Sequence, residues 1–116
     1  RDGFAFLVSE TDEIDGFAYY GQFRGGVGYA HALEHTLYVR PMAAKTGVGR
    51  GLLRTLETHA HRSGGHMMQA GVSAENAAAL GFHAAMGYEA VARLKEVGRK
   101  FDRWLDLVLM QKELKG

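Results

Sequence analysis

Leu37-Tyr38-Val39-Arg40-Pro41-Met42-Ala43-Ala44-Lys45-Thr46-Gly47-Val48-Gly49-Arg50-Gly51 decides how this chain folds. An apolar, strand-like run ends at the single proline of the sequence. A glycine-rich loop follows, bracketed by Lys45 and Arg50, and then Leu52, Leu53, Leu56 and Ala60 take up helical spacing. A strand feeding a glycine loop that opens a helix is a way to hold phosphate. Glycine lets the backbone approach closely, and the first amides of a helix have no internal acceptor. Taken alone, Gly47-Val48-Gly49 also reads as a tight strand-to-helix turn. It is not a nucleotide P-loop, because Leu52 follows Gly51 where Lys and Ser or Thr are needed. Nor is it a dinucleotide fingerprint. Leu52 occupies the sixth position, and no acidic residue ends a second strand about 20 residues on.

Working outward, residues 33–39 alternate, with Leu33, His35, Leu37 and Val39 on one face and Glu34, Thr36 and Tyr38 on the other. Residues 4–8 read as a buried strand and 17–23 as a second, joined by a hairpin turn at 12–16. Residues 24–28 are glycine-rich loop. The helix from Val48 runs to Arg62 and stops at Gly64-Gly65. Residues 66–72 read as a fourth strand, and 75–86 as a second helix closed by Gly87. Two strands, 88–97 and 103–111, complete the chain around a turn at 98–102. The order β-β-β-α-β-α-β-β implies an α/β (α+β) fold, a mixed sheet with helices packed on it.

The chain has 116 residues, 47% hydrophobic, which suits one domain with one core, residues 1–116. A formal charge of +1 offers no nucleic-acid footprint. No apolar run approaches the roughly 20 residues that span a bilayer. The chain lacks cysteine, so disulfides and thiol chemistry are excluded, and a reducing cytoplasm fits.

His31-Ala32-Leu33-Glu34-His35 spells the inverted zinc-protease motif H-x-x-E-H. That motif needs a helix. On a strand the two histidines stand about 13 Å apart, too far for one ion, so no metal is expected. His35 then reads as a half-buried strand residue. Glu34 has two readings. It lies exposed on the wet face of the sheet, or it points into a cleft where burial lifts its pKa toward that of a general base. Asn76 and His83, taken singly, read as a helix N-terminal residue and a surface histidine. The basic run Arg93, Lys95, Arg99, Lys100 and Arg103, broken by Glu96 and Asp102, reads as a solvated hairpin. Phe101 and Trp104 within it could instead line a pocket or a subunit contact.

Three signals occur in one order: the Leu-Tyr-Val strand with Lys-Thr-Gly-Val-Gly, an Asn heading a helix, and Gly87-Tyr88. Together they resemble the GNAT superfamily of N-acetyltransferases. The loop matches the superfamily pattern Q/R-x-x-G-x-G/A except at its first position, where Ala44 stands. Within it, Glu34-His35-Thr36-Leu37-Tyr38-Val39 and the hairpin from Glu96 to Asp106 resemble the phosphinothricin and methionine-sulfoximine acetyltransferases. The likeness runs from Phe4 to Leu114.

The resemblance implies a mostly antiparallel sheet and an acetyl-CoA cofactor whose pyrophosphate lies over amides of Lys45, Thr46, Gly47, Val48, Gly49 and Arg50. Pantetheine would follow the main chain of Leu37, Tyr38 and Val39, with a hydrogen bond from Asn76. Glu34 would be the base that deprotonates the acceptor amine, directly or through a water. His83, in the usual tyrosine's place, would supply the proton for the leaving thiolate. Phe23, Arg24 and Tyr29 would line the acceptor pocket, with Lys100 and Trp104 reaching it across a homodimer interface. Gly25-Gly26-Val27-Gly28 and Ala30 replace a stiffer, more basic loop. That favours a small amino-acid analogue or another primary amine over phosphinothricin itself. The superfamily also opens with a strand and two helices that nothing in this sequence matches, so the expected fold lacks them. A catalytically impaired CoA- or acyl-CoA-binding fragment is the alternative function.

Overall fold

The computed structural model describes residues 4–11 and 13–115. Its elements are β1 (Phe6–Glu10), β2 (Ile14–Gln22), β3 (Ala32–Val39), α1 (Val48–Arg62), β4 (Met67–Ser73), α2 (Ala77–Ala85), β5 (Glu89–Lys100) and β6 (Arg103–Glu113). Single 3-10 turns sit at Val27–Tyr29 and Pro41–Ala43. The sheet has six strands in the order β1-β2-β3-β4-β6-β5. The α/β expectation holds, with every element type in its expected place. The backbone divides into two compact units, one reaching to Met68 and rejoined from Glu113 onward, the other Gln69–Lys112.

In the first unit β1-β2 and β2-β3 are antiparallel, with Leu7 opposite Ala18 and Ala18 opposite Leu37. Helix α1 packs on these strands, burying Leu52, Leu53, Leu56 and Ala60 against Ala18, Tyr20 and Leu33. Its bounds are those expected. Past its end, Gly64 takes φ 96°, Gly65 N–H donates to Ala60 O at 2.8 Å and Gly64 N–H to His61 O at 3.1 Å, a Schellman closure.

Two expectations for this unit are corrected. Asp15 and Gly16 are not turn residues; β2 already begins at Ile14, and both are buried. The local turn signal is overridden by packing. A Cβ at Gly16 would lie 2.6 Å from the Tyr38 carbonyl oxygen, so only glycine fits there. Asp15 is held by Arg40, whose Nη2 donates to Oδ1 at 2.8 Å. Asp12, part of the expected turn, lies outside the described residues. Second, β1 is not a buried strand. Leu7 and Ser9 are half-buried toward α1, but Phe6 and Val8 are exposed on the opposite face. There Phe6, Phe17, Tyr19 and Tyr38 stack, with Phe6–Tyr19 centroids 5.6 Å apart and Phe17–Tyr38 5.3 Å.

In the second unit, β5 and β6 form a long antiparallel hairpin. The turn is tighter than 98–102. Gly98, Arg99 and Lys100 pair with Leu105, Trp104 and Arg103, leaving Phe101 and Asp102, both at positive φ, as a two-residue loop. A bulge separates Leu94 from Gly98, where Glu96 has φ 56°. Asp106 stitches it, accepting from Glu96 N–H at 2.9 Å and Arg93 Nε at 2.7 Å. These bonds hold the Asp106 carboxyl below the usual carboxylate range.

Candidate active site

The strand-loop-helix segment forms as its sequence dictates. Arg40 locks the end of β3 to the start of β2, its N–H bonding Asp15 O at 2.9 Å and its guanidinium Asp15 Oδ1. Pro41 then opens a 3-10 turn, and Lys45 (φ 65°) and Gly47 (φ 94°) swing the chain into α1. Gly47 is the N-cap of α1 and has no capping side chain. Among the described residues the amides of Lys45, Gly47, Val48, Gly49 and Arg50 take no backbone acceptor. Thr46 departs from the expected set. Its N–H and Oγ1 both donate to Ala43 O, so the continuous run of open amides starts at Gly47. Space above Gly47 and Gly51 is open. Beside them lies a cavity of about 470 Å³, walled by Leu7, Val8 and Ser9 of β1 and by Thr46, Gly47, Val48, Gly51, Leu52 and Thr55. Glu34 is not part of its wall.

Glu34 lies on the face of β3 turned away from α1, with Thr36 and Tyr38. It is half-buried, and desolvation alone lifts its carboxyl above the usual glutamate range. The partial burial and lifted carboxyl agree with the second of its readings, although the cavity at the glycine loop does not include it. Its register partner Gly21 has nothing within 4 Å of a Cβ, so the space beside the carboxylate on β2 is open. Leu37, Tyr38 and Val39 pair with Ala18, Phe17 and Gly16, so their edge toward β2 is closed to a ligand. His35 is buried rather than half-buried, and His31 Nδ1 is engaged by Gly64 O at 2.6 Å.

The loop after β2 is built rather than loose. Phe23 N–H donates to Ala32 O at 2.8 Å and Tyr29 N–H to Gly26 O at 3.1 Å. The Arg24 guanidinium lies 4.8 Å from the Tyr29 ring centroid. Phe23, Arg24 and Tyr29 therefore share one exposed loop in the same unit as Glu34 and the glycine loop.

In the second unit Asn76 caps α2, its Oδ1 accepting from Ala79 N–H at 3.0 Å. Only its Nδ2 donors are left for a ligand. His83 is buried, not a surface residue; its Nδ1 bonds Ala79 O at 2.9 Å and its ring stands edge-on to Phe82 and Tyr88. Trp104 and Lys100 are at the exposed hairpin tip, Trp104 under Arg99 at 4.5 Å and Lys100 over Phe101 at 5.2 Å.

An acetyltransferase (GNAT) domain profile matches residues 2–109. The chain belongs to the GNAT acetyltransferase family. It is 41% identical over 113 residues to an L-methionine sulfoximine/L-methionine sulfone acetyltransferase of Salmonella typhimurium, covering 97% of this chain and 66% of that protein. It is also 41% identical over 114 residues to a phosphinothricin N-acetyltransferase of Alcaligenes faecalis, covering 97% and 58%. A Salmonella typhimurium acetyltransferase solved with its cofactor acetyl-CoA superposes with TM-score 0.90 at 39% identity, covering 97% of this chain and 66% of that one. The GNAT chain thus spans about two thirds or less of the length of the curated relatives it matches.

Sequence reasoning on this GNAT domain passed over Asp15, Arg40 and Gln22. Asp15 was hidden by the turn-like run around it. Arg40 carried a signal, a cation just before Pro41, but its partner lies 25 positions away. Gln22 bonds only main-chain carbonyls, and no sequence pattern marks that.

Proposed function

We propose that this GNAT chain transfers an acetyl group from acetyl-CoA to the primary amine of a small amino-acid-like acceptor, of the methionine sulfoximine or phosphinothricin type. The observation that carries the reading is Glu34. It is a half-buried carboxylate with a lifted pKa, on the strand that runs into an uncapped helix start. The similarity to N-acetyltransferases of such substrates supports it.

Acetyl-CoA, when bound, supplies the thioester carbonyl that the amine attacks. The amides from Gly47 to Arg50, with that of Lys45, suit its diphosphate, and the side chains of Lys45 and Arg50 add positive charge. The main chain of Leu37 to Val39 and Asn76 Nδ2 would align pantetheine. Glu34 takes the proton from the acceptor's ammonium, directly or through a water, leaving the nucleophilic amine. His83 donates its Nδ1–H to Ala79 O, so its Nε2 would give a proton to the leaving sulfur from the imidazolium, in which both ring nitrogens are protonated. A single domain over residues 1–116 and a cytoplasmic location are part of the proposal. No helix among the described residues is long and apolar enough to cross a membrane. Exposed Val91, Leu94, Val97, Phe101 and Trp104 on the β5–β6 hairpin suit a homodimer contact, to be checked by sedimentation.

Thiol release from acetyl-CoA across a panel of methionine sulfoximine, phosphinothricin and simple primary amines tests the reading. Glu34→Gln should lower kcat/KM by about a hundredfold or more while acetyl-CoA still binds. CoA binding with no turnover, indifferent to Glu34→Gln, would mark a binding module instead. The pH dependence has a definite sign. The base must be ionised, so kcat/KM falls as pH drops through the lifted pKa, and this acid limb lies above the ordinary glutamate range. Burial disfavours the charged form. The stability penalty is therefore complete above the lifted pKa and relieved as pH falls toward the unfolded value. Glu34→Gln should melt higher than wild type at neutral pH and lose that advantage in acid.

A further inference from the structure

The loop between β2 and β3 has a fastening of its own. Three of its residues, Gly25, Gly26 and Gly28, are glycines; a Cβ at Gly25 or Gly28 would touch nothing, and Gly26 stands at φ 109°. A backbone of this kind gains little from packing and has much freedom to lose on ordering. What opposes that freedom is hydrogen bonding, and its centre is Gln22, the last residue of β2. Gln22 Nε2 donates to Arg24 O and to Gly26 O, each at 2.7 Å. Both partners are carbonyls, so only the amide nitrogen can face them, and both of its hydrogens are used. Gln22 is itself fixed by its strand register opposite Leu33, one residue from Glu34. The latch closes around Arg24 just where the guanidinium lies over Tyr29. No carboxylate pairs with Arg24 among the described residues, so this cation is presented rather than neutralised.

We propose that Gln22 is a positioning residue for acceptor binding: its side-chain amide, bridging Arg24 O and Gly26 O, fixes the path of the loop that presents Arg24 to the anionic end of the acceptor. This deepens the acetyltransferase reading and rests on it. Gln22 touches no reacting atom. It acts through Arg24, so its loss is felt by the acceptor and not by acetyl-CoA.

Two substitutions separate this role from a general structural one. Gln22→Glu keeps size and shape but replaces the donor with a carboxylate that repels both carbonyls. Gln22→Lys changes the shape but keeps a donor. Steady-state kinetics should give Gln22→Glu an acceptor KM raised about tenfold, an acetyl-CoA KM unchanged and kcat little altered. Gln22→Lys should recover most of the loss. A second readout is independent of turnover: hydrogen exchange at the Tyr29 and Ala30 amides, which close on Gly26 O and Val27 O. These amides should exchange faster in Gln22→Glu while the β2–β3 ladder keeps its protection. Unchanged exchange at Tyr29 and Ala30 overturns the latch, as does an acceptor KM that stays put or rises in step with that of acetyl-CoA. If no amine is acetylated by the wild type, the acetyltransferase reading fails, and the exchange measurement still decides whether the latch exists.

Discussion

The two helices begin differently and end alike. Both close on a glycine at φ 96° in a Schellman motif, Gly64 after α1 and Gly87 after α2, with Tyr88 N–H returning to His83 O at 2.9 Å in the second. At the N-terminus α2 satisfies itself, because Asn76 Oδ1 takes the Ala79 amide. Helix α1 does not; glycine stands at its cap, and four successive amides from Gly47 to Arg50 have no backbone acceptor among the described residues. A helix start built only for stability would carry the Asn of α2 or its equivalent. The start of α1 gives up that stabilisation and keeps donors and positive dipole available, which is what an anionic linker requires.

Four substitutions at three positions test that contrast, from the largest effect to the smallest. Gly49→Asp sets a carboxylate among the open amides. Calorimetry should show CoA affinity reduced by about a hundredfold. The melting temperature should hold or rise, since a negative charge in a first helical turn adds about 0.5 kcal/mol. Unaltered affinity would mean that these amides do not meet the diphosphate. Gly47→Ala should cost about 1 kcal/mol in chemical denaturation, because alanine resists the left-handed cap conformation, and should weaken CoA binding as the amides re-aim. At α2 the order of effects reverses. Asn76→Ala should cost about 1 kcal/mol of stability, whereas Asn76→Asp keeps the cap and removes only the Nδ2 donors. A modest drop in CoA affinity for Asn76→Asp, at undiminished stability, would assign those donors to pantetheine. No drop would leave Asn76 as a cap alone.

Local signals made α1 legible to the residue: a proline before it, glycines at both ends and an apolar stripe between. The alternation in β3 likewise separated Glu34 from the buried face, because a strand's two sides are written in its period. What the sequence concealed depends on distant partners. Asp15-Gly16 looks like a turn until Arg40 and the Tyr38 carbonyl are brought against it. Phe6 and Val8 look like core residues, yet both are exposed, and the Phe6 ring serves an aromatic stack with Phe17 and Tyr19. His83 has a polar side chain on a short helix, and nothing in its neighbours' identities forecasts that the ring is enclosed. The lifted pKa of Glu34 was visible only as one of two possibilities, since desolvation is a property of the folded surroundings.

Two glycines in β2 differ in what they leave to mutation. At position 16 even a methyl group would press on the Tyr38 carbonyl and on Leu52, so substitution there should disturb β3 from beneath. At position 21 the space is vacant and adjoins Glu34 across the ladder. With Glu34 as the proposed base, a library aimed at new acceptors should leave the first alone and vary the second, where added bulk would fill the space beside Glu34 while sparing the rest of the fold.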